Sequence, residues 1–417
     1  MTGQHRMGNF LREYGSAIGL TALLLALSIW MHLRFDWSPI VLNEDAWVKK
    51  LEFHRSWAPF AIRYVQDYTT LALHKGLNLP VRESFFIIQF TLTLILGPLF
   101  YRFLRLMGYA RIWSLIGLGL LMTAYPILGA YFAPTHTWDD IWSYLFLVLS
   151  LTAVLQKRTL AAGVYIALGC FAREQTIFFL PVLFVAFHRS EPCDRLWRIW
   201  TALLTAPVTY GLFRYFVWHP INPKRWTLIS FNFENIGRAD DTLVSTLIAF
   251  GIMWLLAPVG TLAVKRYISP AARRMLLWGL ATAWPLTVAV TLCCTLARET
   301  RIFFPPFVVV IPLSIAALAA AWDFTDRRRL RWVWAVAPLL ATPAIMLGID
   351  LSWSLFAAWD YAANHAFRRN LAGVHIGLTI LYVVMVALAF VWKKVRKTNR
   401  QPSGTQGQRT EATAVRT

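Results

Sequence analysis

Long apolar segments separated by short polar ones recur from one end of this 417-residue chain to the other. Many are close to 20 residues long, which is the length of a helix that crosses a bilayer. The pattern predicts an all-α, polytopic membrane protein with about twelve transmembrane helices in residues 1–392. The polar, low-complexity residues 393–417 predict a disordered, basic cytoplasmic tail.

Polar breaks divide the apolar residues into consecutive spans that alternate in direction. The first seven spans are predicted at Ala17–Leu33, Ser84–Phe100, Ile112–Tyr131, a segment from Asp139 to Arg158, a hairpin of two short spans that ends near His188, and Ile199–Val217. Five more spans follow between Asp241 and Lys393.

Residues 34–83 form a long polar segment that lies on the outer side in this topology. Pro59 stands where a helix could start, and aromatic and apolar side chains follow at helical spacing. The segment therefore predicts an amphipathic helix in the membrane interface. Its apolar face comprises Phe60, Tyr64, Tyr68 and Leu71, and Arg63, Asp67 and Thr70 occupy the other faces.

Composition agrees with a membrane protein, because 57% of the residues are hydrophobic and only 15% are charged. The net charge of +20 does not require a nucleic-acid partner. In this topology most Lys and Arg lie on cytoplasmic loops and tails, as the positive-inside rule demands. This bias predicts a cell (inner) membrane protein with both termini in the cytoplasm. The four cysteines form no CxxC pair, so neither a zinc site nor a disulfide framework is indicated.

The motif A-R-E-x-x-I-F-F-x-P occurs twice, at Ala172–Pro181 and at Ala297–Pro306. Each copy places an Arg-Glu pair ahead of a long apolar run. Ionisable residues beside apolar spans are costly, which makes them functional candidates. The alternative is a structural ion pair, in which Glu favours the first helical turn and Arg neutralises it. The candidates are Arg173, Glu174, Arg298, Glu299 and Arg301, which lies three residues after Arg298.

The first Arg-Glu pair is expected below the outer membrane surface. Residues 159–187 must cross out and back, yet two full spans need about 40 residues. Arg173 and Glu174 would then line a water-filled cavity, because lipid cannot satisfy their polar groups. Two Asp-Asp pairs, Asp139-Asp140 and Asp240-Asp241, each precede one copy of the motif, which suggests a parallel internal repeat.

Residues 100–187 resemble the polytopic glycosyltransferases of the GT-C superfold. The resemblance rests on the F-Y-R-F-L-R-L-M-G loop at 100–108, the outer Asp-Asp pair, and the short hairpin that leads to Leu180-Pro181. The long first outer loop with Glu44-Asp45 also fits, so the similarity covers roughly the first half of the chain. It implies that a sugar is transferred, as by a mannosyltransferase, from a polyprenyl-phosphate donor to a glycan, lipid or protein acceptor on the outer face.

The resemblance places the catalytic acid in the first outer loop, so Asp45 is the first candidate for the general base and Glu44 its nearest rival. Asp139 and Asp140 follow as a second acid, an acceptor-binding group or a metal ligand. Helix capping is the structural alternative for all of these acids.

Departure of a phosphate also requires cations, and the planar guanidinium of Arg binds phosphate through two hydrogen bonds. Arg173, Arg298 and Arg301 are the candidate phosphate ligands, with Glu174 and Glu299 orienting them. His136 is a candidate substrate contact. No cofactor is indicated, and a divalent metal is possible.

Two other functions fit the same pattern. A twelve-span secondary transporter would explain the span number, the internal repeat and the intramembrane charges. A polymerase or ligase of lipid-linked glycans would share the acidic, arginine-lined outer site.

Overall fold

The computed structural model describes residues 3–34, 43–56, 63–128, 139–188, 196–218, 239–294, 300–324, 343–351 and scattered positions between 340 and 388. Helix accounts for 91% of the structure, and none of the described residues forms a strand. The all-α prediction is therefore confirmed for this part of the chain. The predicted tail, 393–417, lies outside the described residues.

Fifteen α-helices are numbered here in chain order between residues 3 and 324. They are α1 (Gly3–Arg34), α2 (Glu44–Ser56), α3 (Tyr64–Leu77), α4 (Val81–Met107), α5 (Arg111–Met122), α6 (Tyr125–Leu128), α7 (Asp140–Leu155), α8 (Thr159–Ala172), α9 (Leu180–His188), α10 (Leu196–Trp218), α11 (Ala239–Phe250), α12 (Met253–Ala263), α13 (Pro270–Trp278), α14 (Trp284–Cys294) and α15 (Phe307–Phe324).

Shorter helical segments connect several of these helices. Val264–Arg266 forms a 3-10 turn after α12, and a π-helical segment, Gly279–Ala283, joins α13 to α14. The two copies of the repeated motif each contain a 3-10 helix, Glu174–Phe179 in the first and Thr300–Phe303 in the second.

Among the described residues, three helical stretches are long and apolar enough to cross a membrane, which suggests a membrane protein. They are Glu13–Trp30, Val81–Met107 and the combined segment Pro270–Cys293. Twelve spans are not confirmed, because several predicted spans are shorter helices. The predicted span Ile112–Tyr131 ends as α5 at Met122, since Pro126 has no N–H to bond the Met122 carbonyl.

The core is centred on α4 and α15. Phe85, Leu96 and Phe100 of α4 are fully buried, and α15 is buried on nearly all sides from Phe307 to Ala319. Such an apolar helix is stable only when other helices surround it. Close packing depends on small residues, since a side chain at Gly260 of α12 would overlap the Leu313 backbone of α15.

The predicted helix in the first outer loop exists as α3, but it turns its polar side inward. Gln66, Asp67 and Thr70 are buried, whereas Tyr68 is 52% exposed. The helix packs against α4 and α8, and Arg63 at its start pairs with Asp139 and Glu174, which explains why its polar side faces the protein. Its place in the membrane interface stays a prediction.

Candidate functional site

Two adjacent acids at the start of α7 form the centre of a buried charged cluster. Asp139 precedes the first turn and Asp140 begins it; they are 2% and 0% exposed. Acids are favoured at a helix N-terminus by the helix dipole. Asp139 occupies the N-cap position, yet its side chain makes no capping hydrogen bond. The capping alternative thus does not account for Asp139, and both carboxylates instead meet arginines.

Asp140 is held between two arginines from distant parts of the sequence. Arg173, directly after α8, forms a buried ion pair with the Asp140 Oδ1 atom. Arg301, in the 3-10 helix of the second motif copy, lies 3.6 Å from Oδ2. We call Asp140, Arg173 and Arg301 the basic half of the cluster, because two guanidinium groups face one carboxylate.

Asp139 belongs to a second set of charges that sequence analysis only partly identified. Arg63, directly before α3, donates hydrogen bonds from Nε and Nη2 to the two oxygens of Glu174, at 3.1 and 2.8 Å. Its Nη1 lies 3.8 Å from Asp139 Oδ2. Asp67, one turn further along α3, is also buried. We call Arg63, Asp67, Asp139 and Glu174 the acidic half, because this set contains three carboxylates and one guanidinium group.

Neighbouring polar side chains tie α3 to α7. The indole nitrogen of Trp142 donates to Gln66 Oε1 at 2.8 Å, and the Gln66 amide donates to Thr70. This hydrogen-bonded contact joins the two helices. Arg63 and Asp67 were not identified from the sequence as site residues, because the apolar face of their helix was given more weight. The available signal was a polar stripe at helical spacing, which comprises Arg63, Asp67 and Thr70.

Burial and neighbouring charges shift protonation in the acidic half. Burial would lower the pKa of Arg63, but the ion pair with Glu174 more than offsets this, so its pKa lies above the ordinary value. Burial raises the pKa of Asp139 well above its usual range. Asp67 adds to that rise, while Arg63 opposes it. Asp139 is therefore more basic than an exposed aspartate.

The two acids in the first outer loop lie in different surroundings. Glu44 accepts hydrogen bonds from the Val81 and Arg82 amides, so it caps the N-terminus of α4. Asp45 is exposed in the first turn of α2 and makes no ion pair with any residue that the structure describes. Asn43, and not Asp45, caps α2, through a 3.0 Å bond from the Ala46 amide. Their assignment as catalytic residues stays a prediction.

The structure brings together Asp139, Asp140, Arg173, Glu174 and Arg301 among the predicted candidates. Arg298, Glu299 and His136 lie outside the described residues. Within the described ranges, no group of three His, Cys, Asp or Glu side chains is arranged to hold a metal ion. The cluster is instead built from alternating carboxylates and guanidinium groups, which can bind anions and exchange protons.

Comparisons with protein families, with curated proteins and with solved structures give no match. The candidate function therefore rests on the residues and the geometry of the cluster.

Proposed function

We propose that the protein is an integral membrane glycosyltransferase that takes a sugar from a polyprenyl-phosphate donor and transfers it to an acceptor on the outer face of the cell membrane. The observation that carries the proposal is the division of one buried cluster into a basic half and an acidic half. Transfer from a lipid-linked phosphate needs both, since one group must receive a proton while another stabilises a departing anion.

The basic half supports binding of the donor phosphate. In the described part of this half, two guanidinium groups adjoin one carboxylate. Guanidinium groups are suited to phosphate because they stay charged and present parallel N–H donors. Asp140 would hold the two arginines in place between turnovers.

The acidic half supports activation of the acceptor. Asp139 is the preferred base, because it is buried near the arginines and burial raises the pKa of its carboxyl group. Asp45, favoured by the family resemblance, is exposed and outside the cluster. A base is most effective when its pKa approaches the working pH.

In the transfer step one bond forms, one bond breaks and one proton moves. The acceptor oxygen or nitrogen attacks the anomeric carbon and gives its proton to the Asp139 carboxylate. The bond between that carbon and the phosphate oxygen breaks, and its electron pair stays on the phosphate beside Arg173 and Arg301. The products are a glycosylated acceptor and a polyprenyl phosphate.

The deciding experiment compares Asp139→Asn with Asp45→Asn in the purified full-length protein, with polyprenyl-phosphate sugars as donors. We expect Asp139→Asn to lower the rate of transfer by roughly 10²–10⁴-fold, as for loss of a general base, and Asp45→Asn to change it little. The reverse result would return the role of base to Asp45. Absence of transfer from every lipid-phosphate sugar by the wild type would refute the proposed activity.

A secondary transporter is the second candidate, favoured by the proximity of Asp67 to Asp139 in the acidic half. Buried carboxyl groups that share a proton are common in proton-coupled transport. The two functions differ in a simple assay. Uptake of a solute into proteoliposomes without any lipid-linked sugar, and its loss in Asp139→Asn, would favour transport.

A further inference from the structure

Two buried hydroxyl groups adjoin the basic half and are not used by its ion pairs. Tyr144 lies one turn after Asp140 on α7, and Thr300 directly precedes Arg301. Tyr144 is 0% exposed and Thr300 is 1% exposed. Neither the Tyr144 Oη atom nor the Thr300 Oγ1 atom has a hydrogen-bond partner among the residues that the structure describes.

Packing holds the Tyr144 hydroxyl in a defined place. Its ring meets Phe304 and Phe307 edge to face, with centroids 5.3 and 5.4 Å away. The Arg301 guanidinium is near enough to act electrostatically on the hydroxyl. Residues four apart on a helix share one face, so Tyr144 follows Asp140 toward the same side of α7.

Buried hydroxyl groups are normally hydrogen-bonded, because leaving one unsatisfied destabilises the folded state. One of these hydroxyl groups is near Arg301 in space and the other precedes it in the chain, which together indicate a ligand that accepts hydrogen bonds. Guanidinium groups only donate and hydroxyl groups can donate, so an anion would satisfy both kinds of group.

We propose that Tyr144 and Thr300 donate hydrogen bonds to the phosphate oxygens of a lipid-linked monophosphate held by Arg173 and Arg301. This inference rests on the proposed function and refines it, because it adds two substrate-binding residues that would surround a single phosphate group rather than a diphosphate.

Binding is the appropriate measurement, because it is independent of transfer. The full-length protein in detergent is titrated with polyprenyl monophosphate, polyprenyl diphosphate and inorganic phosphate, and the Kd of each is determined. We expect the monophosphate to bind most tightly. Tyr144→Phe and Thr300→Val are each expected to raise its Kd by roughly tenfold or more, as for loss of one hydrogen bond to a charged group.

Tyr109→Phe is the matched control, since Tyr109 is equally buried but donates its hydroxyl hydrogen to the Pro312 carbonyl at 2.6 Å. It should lower the thermal unfolding midpoint and leave the monophosphate Kd unchanged. Tyr144→Phe should not lower the midpoint, because it removes a hydroxyl that has no partner in the described protein.

Three outcomes would overturn the inference. These are an unchanged monophosphate Kd in both variants, tighter binding of the diphosphate, or inorganic phosphate binding as tightly as the lipid. A wild type that binds polyprenyl monophosphate through both hydroxyl groups but transfers no sugar would support this site and refute the glycosyltransferase proposal. The two failures are thus distinguishable.

Discussion

The two halves of the charged cluster share one short stretch of chain, Asp139-Asp140, yet their charges are balanced oppositely. Among the described residues, Arg63 of the acidic half pairs with Asp139 and Glu174, whereas Arg173 and Arg301 of the basic half both pair with Asp140. The two neighbouring aspartates therefore have opposite electrostatic environments. Asp139 shares one guanidinium with a second carboxylate, while Asp140 is shared by two guanidinium groups.

Adjacent identical residues such as Asp139 and Asp140 therefore need not be interchangeable. Removing a charge from the half that has too many negative charges relieves repulsion. Removing the same charge from the half that has too many positive charges leaves buried cations uncompensated, which is costly. The predictions below test this asymmetry.

The largest effect is expected for Asp140→Asn. It leaves Arg173 and Arg301 buried without their shared carboxylate, and breaking a buried ion pair in this way costs about 3–5 kcal/mol. Thermal unfolding in detergent would show the loss. Asp140→Glu should recover most of the stability, and Asp139→Asn, the matched control, should change it by less than about 1 kcal/mol. Equal destabilisation by Asp139→Asn and Asp140→Asn would contradict the division into halves.

An intermediate effect is expected for the Arg63–Glu174 pair. Its two hydrogen bonds join the start of α3 to the first motif copy, but the Glu174 side chain is 32% exposed, so solvent screens part of the interaction. A double-mutant cycle of Arg63→Met and Glu174→Met should give a coupling energy of roughly 1–2 kcal/mol. A coupling energy near zero would show that α3 is held by its other contacts, such as the bond between Gln66 and Trp142.

The smallest effect is expected in the pH dependence of stability. Because burial raises the pKa of Asp139, the folded state keeps its proton at a pH where the unfolded chain has lost it. The contribution of Asp139 is therefore most favourable below the ordinary aspartate pKa and declines as the pH rises through the raised value. The unfolding midpoint of Asp139→Asn should rise relative to that of the wild type as the pH increases above the ordinary aspartate pKa. A constant difference between the two midpoints over this increase would argue against the shift.

The repeated motif shows how far local sequence carries the structure. A 3-10 helix begins at Glu174 in the first copy and at Thr300 in the second. An apolar α-helix follows each of them, α9 in the first copy and α15 in the second. Local sequence does not reveal that Arg173 and Arg301, from two distant copies of the motif, both pair with Asp140.

The sequence by itself determined the helical class and most helix positions, because apolar periodicity and proline act over a few residues. It also singled out Asp139, Asp140, Arg173, Glu174 and Arg301, since charges beside apolar segments are conspicuous. Only the tertiary structure decided that α3 turns Arg63 and Asp67 inward, that Glu44 caps α4, and that the charges divide into two halves. Those outcomes depend on contacts between residues as far apart as Arg63 and Glu174, and no local pattern encodes which distant partner will neutralise a buried charge.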